Sequence, residues 1–123
     1  VSRSKYVPRR GDVIRLDFDP QAGHEQAGRG PALVLSPTEF NRRTGRAIVC
    51  PITNQTKGYP WEVAIPDNPE VSGAVLADQV KSLDWKARRA EFVCTPGEEI
   101  LTDVVEKTIA LLDPVDEEGE EDA

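Results

Sequence analysis

Turn signals recur at short intervals along the first ninety or so residues, and they limit what this chain can build. "DP" at 19–20, the glycines of 23–30, "RRTG" at 42–45, "NQTKGYP" at 54–60 and "PDNPE" at 66–70 each interrupt an apolar stretch. The segments left between them suit short strands, not helices of ordinary length. Residues 12–18, "DVIRLDF", alternate, with Val13, Arg15 and Asp17 on one side and Ile14, Leu16 and Phe18 on the other. Residues 31–35 are more continuously apolar and read as a central strand. "RAIVCPIT" at 46–53 is a third strand, in which Pro51 marks a bulge or an edge because it cannot donate to a ladder. "WEVAIP" at 61–66 alternates, and "GAVLADQV" at 73–80 is a strand interrupted by Asp78-Gln79. "SLDWKARRA" at 82–90 is a helical turn or the end of a last strand.

Two stretches carry helix signals. Ser36, Pro37 and Glu39 have capping-box spacing with proline at the first helical position, which predicts a short helical turn. Thr95 and Glu98 repeat the box. Leu101, Val104, Val105, Thr108, Leu111 and Leu112 then follow at helical spacing, an amphipathic helix of about four turns that Pro114 ends. The expected fold is mainly β with a C-terminal α-helix: a small, strongly curved, mostly antiparallel sheet or barrel. At 123 residues one domain is expected.

The net charge of −7 is misleading. Residues 1–112 hold 15 basic and 15 acidic residues, whereas 113–123 hold seven acidic residues and no basic ones. Up to residue 95 the count is 14 basic against 11 acidic, a balance of +3. An anionic partner such as RNA is therefore compatible with the acidic total. The tail has too little apolar surface to fold and is expected to be disordered. No run of about 18 apolar residues exists, so no membrane span is expected. No signal-peptide pattern is seen, and the expected address is the cytoplasm. Cys50 and Cys94 lack metal-ligand or CxxC spacing and are expected to be buried, reduced thiols.

Neither a metal site, a phosphate-cradling glycine motif nor a nucleophile elbow is recognisable, so no cofactor is expected. Three polar interruptions remain: the loop 23–30, the segment 53–59 and the pair Asp78-Gln79. Gathered at one end of the sheet, they would bring His24, Glu25, Gln26, Arg29, Thr53, Gln55, Lys57 and Gln79 into one groove. Such a set offers amides and carboxylates for base edges and cations for phosphate. Tyr59 and Trp61 could stack on bases, although Trp61 and Trp85 serve equally as core or interface anchors. Residue types and spacing alone stop at a small β domain with a polar groove.

The segments "RRGDVIRLDFDPQAGHEQAGRGPALVLSP", "TNQTKGYPWEV" and "VLADQVKSLDWKARRAE" together resemble the MazF/PemK family of toxin endoribonucleases. The resemblance implies an SH3-like, strongly curved barrel (a CcdB/MazF-like fold) spanning residues 1–112, with 113–123 as an acidic tail. It implies a homodimer, a MazE-like antitoxin that blocks the RNA groove, and metal-independent, sequence-specific cleavage of single-stranded RNA such as mRNA. In that chemistry the RNA's own 2′-OH attacks the adjacent phosphate, leaving a 2′,3′-cyclic phosphate and a 5′-OH end. The family's strand-end threonine falls on Thr53, where it would help hold the scissile phosphate. Its "EQ" pair falls on Glu25 and Gln26, its base-reading pair on Asp78 and Gln79, and His24 takes a binding position. The family's catalytic arginine precedes the proline that opens the second strand; here that position is Gly30, with Arg29 one residue away. Two readings compete: a ribonuclease weakened by Gly30 or using Arg29 instead, and a catalytically inactive dimer that binds RNA or antitoxin only. A gyrase-poisoning relative of the same fold ranks last, because the acidic C-terminus is unlike a gyrase-binding one. The tail could itself compete with RNA for the groove.

Overall fold

The computed structural model describes residues 5–18, 28–66 and 68–114. His24, Glu25, Gln26 and the tail from residue 115 lie outside the described residues. The elements are β1 (Val13–Phe18), β2 (Gly28–Val34), α1 (Thr38–Thr44), β3 (Arg46–Thr53), β4 (Glu62–Ile65), β5 (Gly73–Leu76), β6 (Lys81–Asp84), β7 (Glu91–Cys94) and α2 (Glu98–Leu112). One antiparallel sheet runs β4-β5-β3-β2-β1-β7, with β6 also paired to β3. This is the expected mainly β architecture with a C-terminal helix. The sheet is open: among the described residues no pairing joins β7 to β4 or β6.

Alternation along β1 gives the sheet two apolar faces instead of one. Val13, Leu33, Cys50, Ile52 and Val75 form one cluster, which α2 covers with Ile100 and Val104. Ile14, Leu16, Ala32, Val34 and Val49 form the other, closed by Leu83 and Trp85. Trp85 is a core anchor, its Nε1–H donating to the Asn41 carbonyl at 2.9 Å, whereas Trp61 is exposed.

Pro51 is neither at an edge nor on the surface. It is fully buried in β3, opposite Ala32. On its other flank β3 pairs with β6 through Arg46–Val49 and with β5 through Ile52–Thr53. Proline's missing N–H thus falls where the strand changes partner and costs the ladder least.

Neither capping box forms. Pro37 is the N-cap of α1, without a side-chain cap bond. The Ser36 hydroxyl instead donates to Asn41 Oδ1 and accepts from the Ile48 N–H at 2.8 Å, tying α1 to β3. Glu39 pairs with Arg42 and Arg43. "RRTG" is mostly helix, ended by Gly45 in the left-handed region at φ 73°. Gly97 is the N-cap of α2, while the Thr95 hydroxyl turns back towards Asp12. On α2, Val104 and Thr108 are buried, but Leu111 and Leu112 are exposed.

Two further readings are corrected. "GAVLADQV" is strand only to Leu76; Asp78-Gln79 is the turn into β6, closed by Gln79 N–H to the Leu76 carbonyl at 3.1 Å. Cys50 is buried, and desolvation pushes its thiol pKa up to about 12. Cys94, on the edge strand β7, is only half-buried.

Candidate nucleic-acid interface

A polar cleft of about 500 Å³ opens where β1, β2 and β3 meet the segment before β5. Arg15, Arg29, Gly30, Thr53 and Gln55 line it, together with residues 68–72 of the β4–β5 connection. That connection is shaped by Asn68, whose Oδ1 accepts from the Glu70 N–H at 2.8 Å. Sequence reading treated it only as a turn.

The strand pleat decides which groups share a face. Arg29 stands opposite Asp17, Gly30 opposite Leu16, and Pro31 opposite Arg15. Arg29, Pro31 and Arg15 therefore project to one side of the sheet, and a side chain at position 30 would project to the other. In the β2–β3 pairing Ala32 stands opposite Pro51. Continuing that register by two residues sets Gly30 opposite Thr53. Position 30 and Thr53 thus share a face that excludes Arg29.

Arg29 also has structural partners. It lies within β2, not in the loop that the glycines suggested. Its guanidinium pairs with Asp17 at 3.1 Å and Glu91 at 3.1 Å, and donates to the Arg89 carbonyl at 2.7 Å. Asp17 is also held by Arg89, at 2.8 Å. Hydrogen bonds from Arg89 and then Arg29 keep the Asp17 carboxyl below the usual carboxylate pKa. Arg89 itself sits at φ 57°, a conformation that the Asp17 contact helps to hold.

Thr53 ends β3 half-buried, and its Oγ1 accepts from the Gln55 N–H at 3.0 Å. A hydroxyl so engaged keeps its own O–H to donate. Gly73, beside it, has no room for a side chain: an added Cβ would stand 1.9 Å from the Thr53 carbonyl oxygen.

The other predicted residues that the structure describes do not line this cleft. Lys57 is exposed, and its backbone N–H donates to Glu62. Tyr59 is exposed in the same loop. Asp78, exposed, and Gln79, half-buried, follow Ala77, whose carbonyl accepts from the Thr108 hydroxyl of α2 at 3.0 Å. The Gln79 side-chain oxygen is buried without a hydrogen-bond partner among the described residues. The cleft therefore unites Arg29, Gly30, Thr53 and Gln55, and leaves Lys57, Asp78 and Gln79 outside. Sequence reasoning missed Arg15. Its signal was the pair of charged residues, Arg15 and Asp17, following Val13 on one face of β1.

Among the described residues, no group of three His, Cys, Asp or Glu side chains is placed to hold a metal ion, and no helix is long and apolar enough to cross a membrane.

Residues 9–112 match the sequence pattern of the PemK-like, MazF-like toxins of type II toxin–antitoxin systems. The chain belongs to that family. It is 54% identical over 87 residues to the endoribonuclease toxin MazF of Escherichia coli K12, covering 71% of this chain and 78% of the relative. The crystal structure of MazF (Form-I) from Deinococcus radiodurans superposes with a TM-score of 0.83 at 51% identity, covering 87% of this chain and 97% of that one. A MazE-MazF structure (Form-II) from the same organism superposes at 0.78 and 44% identity, covering 88% of this chain and 97% of its match.

Proposed function

We propose that this member of the PemK-like, MazF-like toxins is an endoribonuclease that cuts single-stranded RNA at preferred sequences without a metal ion. Residues 1–112 form the toxin domain, which acts as a homodimer in the cytoplasm and is held in check by an antitoxin of MazE type. The MazF relative named as an endoribonuclease and the MazE-MazF neighbour support this reading. Exposed Phe92, Ile109, Leu111 and Leu112 offer apolar surface for a second copy.

The chemistry needs no protein nucleophile. The 2′-oxygen attacks phosphorus and loses its proton, the bond to the 5′-oxygen breaks, and that oxygen gains a proton. A 2′,3′-cyclic phosphate and a 5′-hydroxyl result. The protein must stabilise charge on the phosphorane and move two protons. Thr53 donates its free O–H to a non-bridging oxygen. His24, Glu25, Gln26, Asp78 and Gln79 contact the bases.

The observation that carries the proposal is the polar cleft that Gly30 and Thr53 line together. A guanidinium at position 30 would face the phosphate that Thr53 holds, and glycine leaves that charge unmet. Labelled single-stranded RNA incubated with EDTA tests the reading, with the unaltered chain beside Gly30→Arg. Cyclic-phosphate ends should form, faster by roughly 10²-fold in the arginine form, by analogy with lost oxyanion donors. No cleavage by either form would refute it.

The engagement of Arg29 by Asp17 and Glu91 favours a second reading, in which the chain as it stands only binds RNA or antitoxin. Binding without cleavage by the unaltered chain, with cleavage regained in Gly30→Arg, is the signature of that reading.

A further inference from the structure

The cleft contains two guanidinium groups, and they differ in what they already hold. Arg29 is taken by two carboxylates and two carbonyls. The Arg15 side chain, half-buried, makes no hydrogen bond or ion pair among the described residues. Asp17, the nearest acid along its face of β1, is occupied by Arg29 and Arg89. Glu70 also lines the cleft and forms no ion pair with Arg15. Glu91 stands directly across from Arg15 in the β1–β7 pairing but is engaged by Arg29, so the Arg15 guanidinium, drawn partly out of water, keeps its donors for an incoming anion. Its planar fork of N–H donors fits phosphate oxygens in bidentate geometry. Thr53, Asn54, Gln55 and Asn68 bring amide and hydroxyl groups to the same cleft. Such a rim suits the sugar and phosphate edges of a polynucleotide.

We infer that Arg15 grips an RNA phosphate next to the scissile one, and so positions the strand that Thr53 and position 30 act on. The adjacency follows from the shared cleft, which Arg15, Gly30 and Thr53 all line. Arg15 pairs directly with Pro31, one residue from Gly30, but projects on the opposite side of the sheet. It reaches a flanking phosphate, not the one at which bonds change. This inference rests on the ribonuclease reading above and deepens it.

The experiment uses the full chain, Arg15→Gln and Arg15→Lys, each checked by thermal melting. Affinity for a short labelled single-stranded RNA is measured over a salt series, with a labelled oligoglutamate peptide as a second probe. Losing a charge-assisted contact should weaken RNA binding by about tenfold or more in Arg15→Gln. The logarithmic salt slope should fall by about 0.7, the share of one phosphate on a single strand. Arg15→Lys keeps charge and stem but not the fork, so it should fall between the two. In cleavage assays KM should rise while kcat holds.

Unchanged RNA affinity and salt slope in Arg15→Gln would overturn the inference and leave the ribonuclease reading standing. A drop in kcat matching the loss in kcat/KM would overturn the flanking assignment. Loss of oligoglutamate binding with RNA binding intact would make the cleft a protein-docking site and end the proposal. Absence of RNA binding by the unaltered chain would overturn both readings at once.

Discussion

Replacing Gly73 by alanine should cripple the fold through one contact beside Thr53. The residue sits at φ 107°, where L side chains are rarely found. A Cβ there would lie 1.9 Å from the Thr53 carbonyl oxygen, 2.7 Å from its carbon and 2.8 Å from Asn54 Cα. The obstacles are all backbone, so no flexible side chain can swing aside. A non-glycine residue in such a conformation costs about 1–3 kcal/mol. Forcing the strands apart costs about another 1–3 kcal/mol, as overpacking does elsewhere. The sum, roughly 2–6 kcal/mol, is a large share of the roughly 5–15 kcal/mol that holds a small domain together. Gly58 supplies the control: its φ is 79°, and an added Cβ meets nothing within 4 Å. Gly58→Ala should lose only the conformational part, about 1–2 kcal/mol. Urea unfolding of both variants, with a common slope, isolates the steric part. Equal midpoints would refute the claim that β5 and the end of β3 are in such close contact. Since the same contact fixes the carbonyl of Thr53, residual folded Gly73→Ala should also cleave RNA more slowly than its stability explains.

Four further outcomes follow from the geometry. Gly30→Arg should accelerate RNA cleavage in EDTA by roughly 10²-fold. Asp17 is held by Arg89 and Arg29 with its pKa depressed, so the stability it contributes is present above the ordinary carboxylate value of about 3.9 and lost as pH falls through its lower folded value. Asp17→Asn should accordingly flatten the acid limb of a stability–pH curve below about pH 4. A thiol reagent at pH 8 should modify half-buried Cys94 slowly and leave Cys50 untouched until urea unfolds the chain, since the Cys50 thiol is pushed up to about 12. Asn41→Ala should cost roughly 3 kcal/mol, because the fully buried amide bonds the carbonyls of Pro8 and Ser36 and the Ser36 hydroxyl; matching urea midpoints for Asn41→Ala and the unaltered chain would contradict that.

The sequence made the class of fold legible where local pattern and burial agree. Alternation in "VIRLDF" marked β1, and the helical spacing of Leu101, Val104, Val105 and Thr108 marked α2. It misled where a side chain serves a distant partner. Ser36 looks like a cap, but its hydroxyl is claimed by Asn41 and by β3 across twelve residues. Thr95 is drawn to Asp12 in the same way. The edge strand β7 escaped notice because "EFVC" is short and follows a run of charge. The candidate site was half legible. Thr53, Gln55, Arg29 and Gly30 meet as polar loop and strand-end residues should, yet Asp78-Gln79 lies elsewhere because a turn after Leu76 leads away from the cleft. Arg15 stayed hidden because its meaning depends on which acids its neighbours have already taken.

Pro51 divides β3 between two allegiances. On its N-terminal side the strand belongs with β6; on its C-terminal side it belongs with β5 and, through it, β4. The residue at the division has no amide proton, so it donates no ladder bond to either lot of strands. Hydrogen exchange should therefore report two opening events: a slow one from Ala47 and Val49, and a faster one from Ile52, Val63 and Val75. The molecule could then loosen the end that carries Thr53 while its other half stays shut.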